Sequence, residues 1–125
     1  MTAPNLVNVT SITGKIDGHA LTTDGISASG SNVITCGTDE LYKMNSIIVA
    51  NVDGTNSVDI DVAVNLASDA RFYLAKTVAL PADSTLVVIG KDSPIYLEES
   101  DELEARASVA SDAELVVSYE ILDDA

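Results

Sequence analysis

The chain has no tryptophan, one phenylalanine and four tyrosines in 125 residues, so aromatics make up only 4%. Its core must therefore be built from Val, Ile, Leu and Ala. A single cysteine, Cys36, excludes an intrachain disulfide, and one thiol is no zinc site. Assembly in a reducing compartment fits that usage. His19 is the only histidine, and there is no G-x-S-x-G elbow, so a nucleophilic triad has little to draw on. Cations are equally scarce. Six Lys and Arg stand against twenty Asp and Glu, a net charge of -14. Binding phosphate needs Lys and Arg to displace counterions, so neither nucleic acid nor an anionic membrane is expected as a partner. Met1–Asn5 lack the basic start of a signal peptide, and no apolar run approaches the ~20 residues that span a bilayer. The reading at this point is a soluble, non-enzymatic protein without a cofactor.

What the chain does have is alternation. Hydrophobic residues make up 46%, and they recur with period two. In Leu41 to Leu66, the second half sets Val58, Ile60, Val62, Val64 and Leu66 against Asp59, Asp61, Ala63, Asn65 and Ala67. This stretch predicts a long hairpin turning at Asp53-Gly54-Thr55-Asn56, with one aliphatic face that needs a second sheet to cover it. Further strands are expected at Asn5–Ile16, His19–Thr22, Asn32–Cys36, Arg71–Leu80, Thr85–Ile89, Ile95–Glu98, Leu103–Val109 and after Ser111-Asp112. Turns are read at Ser68-Asp69-Ala70, Pro81-Ala82-Asp83 and Gly90–Pro94. No segment holds a 3.6-residue period over ten residues. The fold expected is all-β, an antiparallel, jelly-roll-like β-sandwich of about eight to ten strands. Residues 1–16 are expected as an N-terminal arm or first strand, and 17–125 as one sandwich domain.

The acids fall into two groups. Asp59 and Asp61 share one side of a strand, with Asp53 across the turn, and three carboxylates are a weak calcium candidate. The turn lacks the D-x-D-x-D-G spacing of a calcium loop, and a solvated outer face is the plainer expectation. Glu98 to Glu104 holds five acids in seven residues and is expected as a charged loop. Paired carboxylates also serve glycosidases, but without tryptophan there is little to stack on a sugar. Gly14, Gly18, Gly25, Gly30 and Gly37 match no phosphate loop and are read as turn residues needing unusual φ.

Several runs, taken together, resemble small virion structural proteins of tailed phages. They are NSIIVANVDGTNSVDIDVAV (45–64), Phe72-Tyr73-Leu74-Ala75-Lys76-Thr77, Leu80 to Ile89, Lys91 to Glu99 and the closing Val117-Ser118-Tyr119-Glu120. The resemblance covers about Tyr42 to Ile121. Ser100-Asp101 stands where that group usually has Gly-Asp. What it implies is a β-sandwich in a virion, foremost a capsid decoration (cement) protein that bridges major capsid subunits as a homotrimer. Candidate partner contacts are Leu6, Val7, Val9 and Ile12 of the N-terminal segment, with Tyr42, Tyr73 and Tyr96. A neck, tail or fibre-adaptor protein is the alternative within that class, separated by copy number per particle. A carbohydrate- or host-binding module is the alternative outside it, marked by glycan binding that a chelator abolishes.

Overall fold

The computed structural model describes residues 9–26, 33–66 and 70–123. Among the described residues nine strands are formed: β1 (Ser11–Ala20), β2 (Ile34–Thr35), β3 (Glu40–Asn51), β4 (Val58–Leu66), β5 (Ala70–Leu80), β6 (Thr85–Ile89), β7 (Ile95–Leu97), β8 (Glu102–Ala107) and β9 (Ala113–Asp123). One sheet has the order β1-β9-β3-β6, with β7 also on β3; the other has the order β2-β8-β4-β5, and every pairing is antiparallel. β6 and β7 lie end to end along β3, one strand broken at Gly90–Pro94. The chain changes sheet at every connection except β4–β5 and β6–β7. That alternation is the jelly roll the sequence suggested.

The predicted hairpin is not one. β3 and β4 belong to opposite sheets, and 52–57 arches between them. The physical reason lies in their two aliphatic faces. As hairpin neighbours they would leave a double-width apolar surface. As opposed strands they bury each other: Met44, Ile47 and Val49 from β3 face Val58, Ile60 and Val62 from β4, all 0 to 1% exposed. Leu97, Leu103, Leu115 and Val117 complete the same core at 0% exposure. The crossing is pinned by buried Asn51. Its side-chain amide donates to the carbonyls of Asn56 and Leu80 (3.0 Å each) and its oxygen accepts the Asp53 N–H (2.9 Å).

Three further expectations change. His19–Thr22 is not a separate short strand: β1 runs unbroken to Ala20 along β9, so the expected boundary at residue 16 falls inside a strand. Gly30 lies outside the described residues, and Gly14, Gly18, Gly25 and Gly37 are not residues with unusual φ. Asp39 (60°), Thr77 (52°), Asp83 (58°), Ser100 (70°) and Ser111 (69°) occupy the left-handed region, and no described glycine does. Short polar side chains that bond locally tolerate that region best after glycine, although Thr77 is β-branched. Gly25 is needed for another reason. A Cβ there would lie 2.0 Å from the Ala105 carbonyl oxygen, so the loop after β1 can approach β8 only without a side chain. Lastly, the acidic loop is partly interior. Glu99 and Asp101 are buried and accept the Asp39 N–H (3.2 Å) and the Glu98 N–H (2.9 Å), fixing the turn around Ser100.

Candidate docking surface

The outer face of the β2-β8-β4-β5 sheet carries a polar network where alternation alone predicts a solvated face. Asp61 on β4 stands opposite Arg106 on β8 and forms an ion pair with its Nε. The same carboxylate accepts the N–H of Thr77, where an irregularity in β5 lifts that amide out of the ladder. Asp61 is 5% exposed, so the expected solvated face is wrong at this position. Burial opposes its charge, but the Thr77 N–H and the Arg106 guanidinium outweigh that and hold its carboxyl below the usual carboxylate range. Beside it, Arg71 on β5 reaches across β4 to Glu104 on β8, through Nε to Oε1 (2.8 Å) and Nη2 to Oε2 (3.2 Å). The strand it crosses presents Ala63 there, in register with Tyr73 and Glu104 and fully buried. Both arginines of the chain are thus engaged internally.

The three calcium candidates stay apart in role. Asp53 closes the β3–β4 arch, accepting the N–H groups of Thr55 (2.8 Å) and Asn56 (3.2 Å), which lower its pKa. Asp59 is exposed, and Asp61 is taken by Arg106 and Thr77. Among the described residues no three His, Cys, Asp or Glu side chains gather as metal ligands. A polar hollow of about 310 Å³ is lined by Thr23, Asp59, Asp61, Thr77, Arg106, Ala107 and Ser108. One of about 60 Å³ beside His19 is lined by Ala20, Leu21, Thr22, Gly25, Val33 and Ala105, with no carboxylate or thiol among them. Cys36 is buried among backbone carbonyls, with Sγ 3.3 Å from those of Glu40 and Leu97. Burial pushes its thiol up to about 12, so it stays protonated.

The interface candidates separate clearly. Leu6 and Val7 lie outside the described residues. Val9 is half-buried and Ile12 is 62% exposed at the start of β1. Tyr42 is a core residue, not a contact surface: it is buried, its ring centroid is 5.3 Å from that of Tyr119, and its hydroxyl donates to Glu40 (3.2 Å). Tyr73 and Tyr96 are exposed, at 40% and 46%. The residues missed are Tyr73's neighbours. Phe72, the only phenylalanine, is 57% exposed and Leu74 is 36% exposed. Phe72 and Tyr73 lie in regular register opposite Val64 and Ala63, and Leu74 falls at a register shift between β4 and β5, so three consecutive large apolar side chains on this edge strand reach solvent. Lys76 lies over Tyr73, with Nζ 4.9 Å from the ring centroid. The signal in the sequence is the unbroken run of three large apolar residues, Phe72-Tyr73-Leu74, inside one strand.

A second apolar row crosses the other sheet on its outer face. Val87, Ile48 and Val116 are in register on β6, β3 and β9; on β1 Gly18 stands opposite Val116, and Ile16, opposite Ser118, lies diagonally beside the end of the row. Val87 and Ile16 are 59% and 70% exposed. The chain matches no protein-family model and no curated protein sequence.

Proposed function

We propose that this protein is a structural component of a phage particle, most specifically a decoration protein that docks on the outside of the capsid and bridges major capsid subunits. The observation that carries this reading is the Phe72-Tyr73-Leu74 triplet on the edge strand of a rigid sandwich. Three of the five aromatics in an aromatic-poor chain (Phe72, Tyr73 and Tyr96) are held out in water. Aromatic side chains there forgo apolar burial, and they are the residue types that anchor interfaces. The resemblance of the same segment to virion proteins supports the same class. The charge supports it as well. An excess of fourteen negative charges favours docking on a basic protein surface and disfavours contact with packaged DNA.

The scaffold suits a clamp. Its described connections are short, so little loop entropy is lost when the surface is immobilised. Many weakly attached copies hold a shell firmly because each added contact is effectively intramolecular. The test is co-sedimentation of the purified protein with empty shells of its own phage, alongside cryo-electron microscopy of the virion. Regular density over the shell is expected, and Phe72→Ala with Tyr73→Ala should weaken attachment by about 30-fold or more. Virions lacking the protein should package DNA but lose heat and osmotic resistance. Density confined to the tail axis would make it a neck or tail component instead, and unchanged virion stability would refute cementing.

A further inference from the structure

Strand β1 closes one edge of its sheet. It pairs with β9 from Ser11–Asp123 to Ala20–Glu114 without a register shift, and among the described residues no strand lies along its other side. The bond from the Leu21 N–H to the Ala113 carbonyl (2.9 Å) fixes the phase of this ladder. Continued back along β1, the odd-numbered residues bond to β9. Ile12, Gly14, Ile16, Gly18 and Ala20 hold their N–H and C=O groups outward. Such an edge is normally blunted by proline, a bulge or a charge in the exposed row. Here the outward row is Ile, Gly, Ile, Gly, Ala, with Ile12 and Ile16 62% and 70% exposed and open space where a Gly14 side chain would be.

We propose that this edge pairs with β1 of a second copy of the chain, antiparallel about a two-fold axis at Ile16. Charge selects the register. With Ile16 opposite Ile16, Lys15 of each copy faces Asp17 of the other, in the pairs whose side chains approach most closely. Gly14 then faces Gly18, and the outward groups of Ile12, Gly14, Ile16, Gly18 and Ala20 are all used. Sliding one step either way sets Lys15 against Lys15 or Asp17 against Asp17, which like-charge repulsion disfavours. Asp17 is already oriented: its Oδ2 accepts the Tyr119 hydroxyl (2.7 Å), leaving its other oxygen for the incoming ammonium. The two sheets become one continuous sheet across the paired edges. The symmetry is two-fold, unlike the trimer that the phage resemblance implies, and the inference does not depend on capsid docking.

Sedimentation equilibrium of the full chain near 0.15 M salt tests it. The wild type should dimerise. Ile16→Pro removes an outward N–H without touching a bond to β9, and should leave a folded monomer. Lys15→Asp and Asp17→Lys should each weaken the dimer by about tenfold or more, because two like-charge pairs replace two opposite ones. An equimolar mixture of those two variants should recover a dimer, since every cross-strand pair is then opposite in charge. On the wild type itself, amide exchange at Ile12, Gly14, Ile16 and Gly18 should slow as concentration rises through the dimerisation range. A wild type that is monomeric throughout, a trimer, amides that remain unprotected, or a dimer indifferent to these substitutions would overturn the proposal.

Discussion

Asp61 and Asp59 are two residues apart on one strand and look alike in the sequence, yet their removal should have very different consequences. Asp61→Ala leaves the Thr77 N–H without an acceptor beside a strand irregularity, which costs about 1–3 kcal/mol. The Arg106 side chain is 38% exposed and can turn to water, so the lost ion pair adds only about 0.2–1 kcal/mol. The sum is about 1–4 kcal/mol, or roughly 3–6 °C in Tm per kcal/mol for a chain of this size. Asp61→Asn keeps an oxygen for Thr77 and should cost less, whereas Asp59→Ala should stay within about 0.5 kcal/mol of the wild type. The pH dependence has a definite sign. Because the folded pKa of Asp61 is depressed, its contribution is complete above the unfolded carboxylate pKa of 3.8 and fades as pH falls through the lower folded value. Urea melts at pH 7 and at pH 2–3 measure both effects. An Asp61→Ala variant as stable as the wild type at pH 7, or a stability gap that does not narrow in acid, would refute this account of the network.

Other substitutions probe the backbone and the core. Ser100→Gly should stabilise the fold by about 1 kcal/mol, read from thermal melts, because φ of 70° at that turn favours glycine. Gly25→Ala should destabilise it by about 2 kcal/mol or more, as a Cβ would strike the Ala105 carbonyl; a neutral result would mean the loop can shift. Cys36 should resist thiol reagents in the native state at pH 8 and react on unfolding, because burial keeps it a thiol.

Strand positions were legible because one face of most strands is buried and the other wet. Thr85–Ile89 coincides with β6, and the strand expected after Ser111-Asp112 is β9, whose alternating Leu115, Val117 and Tyr119 share its buried face. What alternation cannot encode is which sheet a strand joins. The inward residues of β3 and β4 look the same whether the strands sit side by side or face to face, and only the packing of the whole core decides. Nor does alternation reveal that a polar outward position is covered. Asp61 and Glu104 are buried because arginines lie over them, Arg106 from the strand adjacent to Asp61's and Arg71 from two strands away from Glu104. The candidate surface was half visible, through Tyr73 and Tyr96. Phe72 and Leu74, taken singly, carry no such signal, because a large apolar residue in a strand ordinarily packs into the core.

The four sheet edges explain why two kinds of contact are assigned to two places. β2 is only two residues long, and the β6–β7 edge is broken at Gly90–Pro94 and bulged near Ile47. β5 is long but interrupted by register shifts and by Thr77 in the left-handed region. Each of these devices prevents an incoming strand from forming a continuous ladder. β5 also exposes Phe72, Tyr73 and Leu74 side by side, so what that edge offers is side chains, suited to a pocketed or groove-bearing partner. β1 is the exception: ten residues, in unbroken register with β9, with glycines where bulk would obstruct an approaching backbone. What it offers is main-chain hydrogen bonding, which any strand could use. Lys15 and Asp17 supply the selectivity that main-chain bonding lacks, since in the register centred on Ile16 they match this strand to itself.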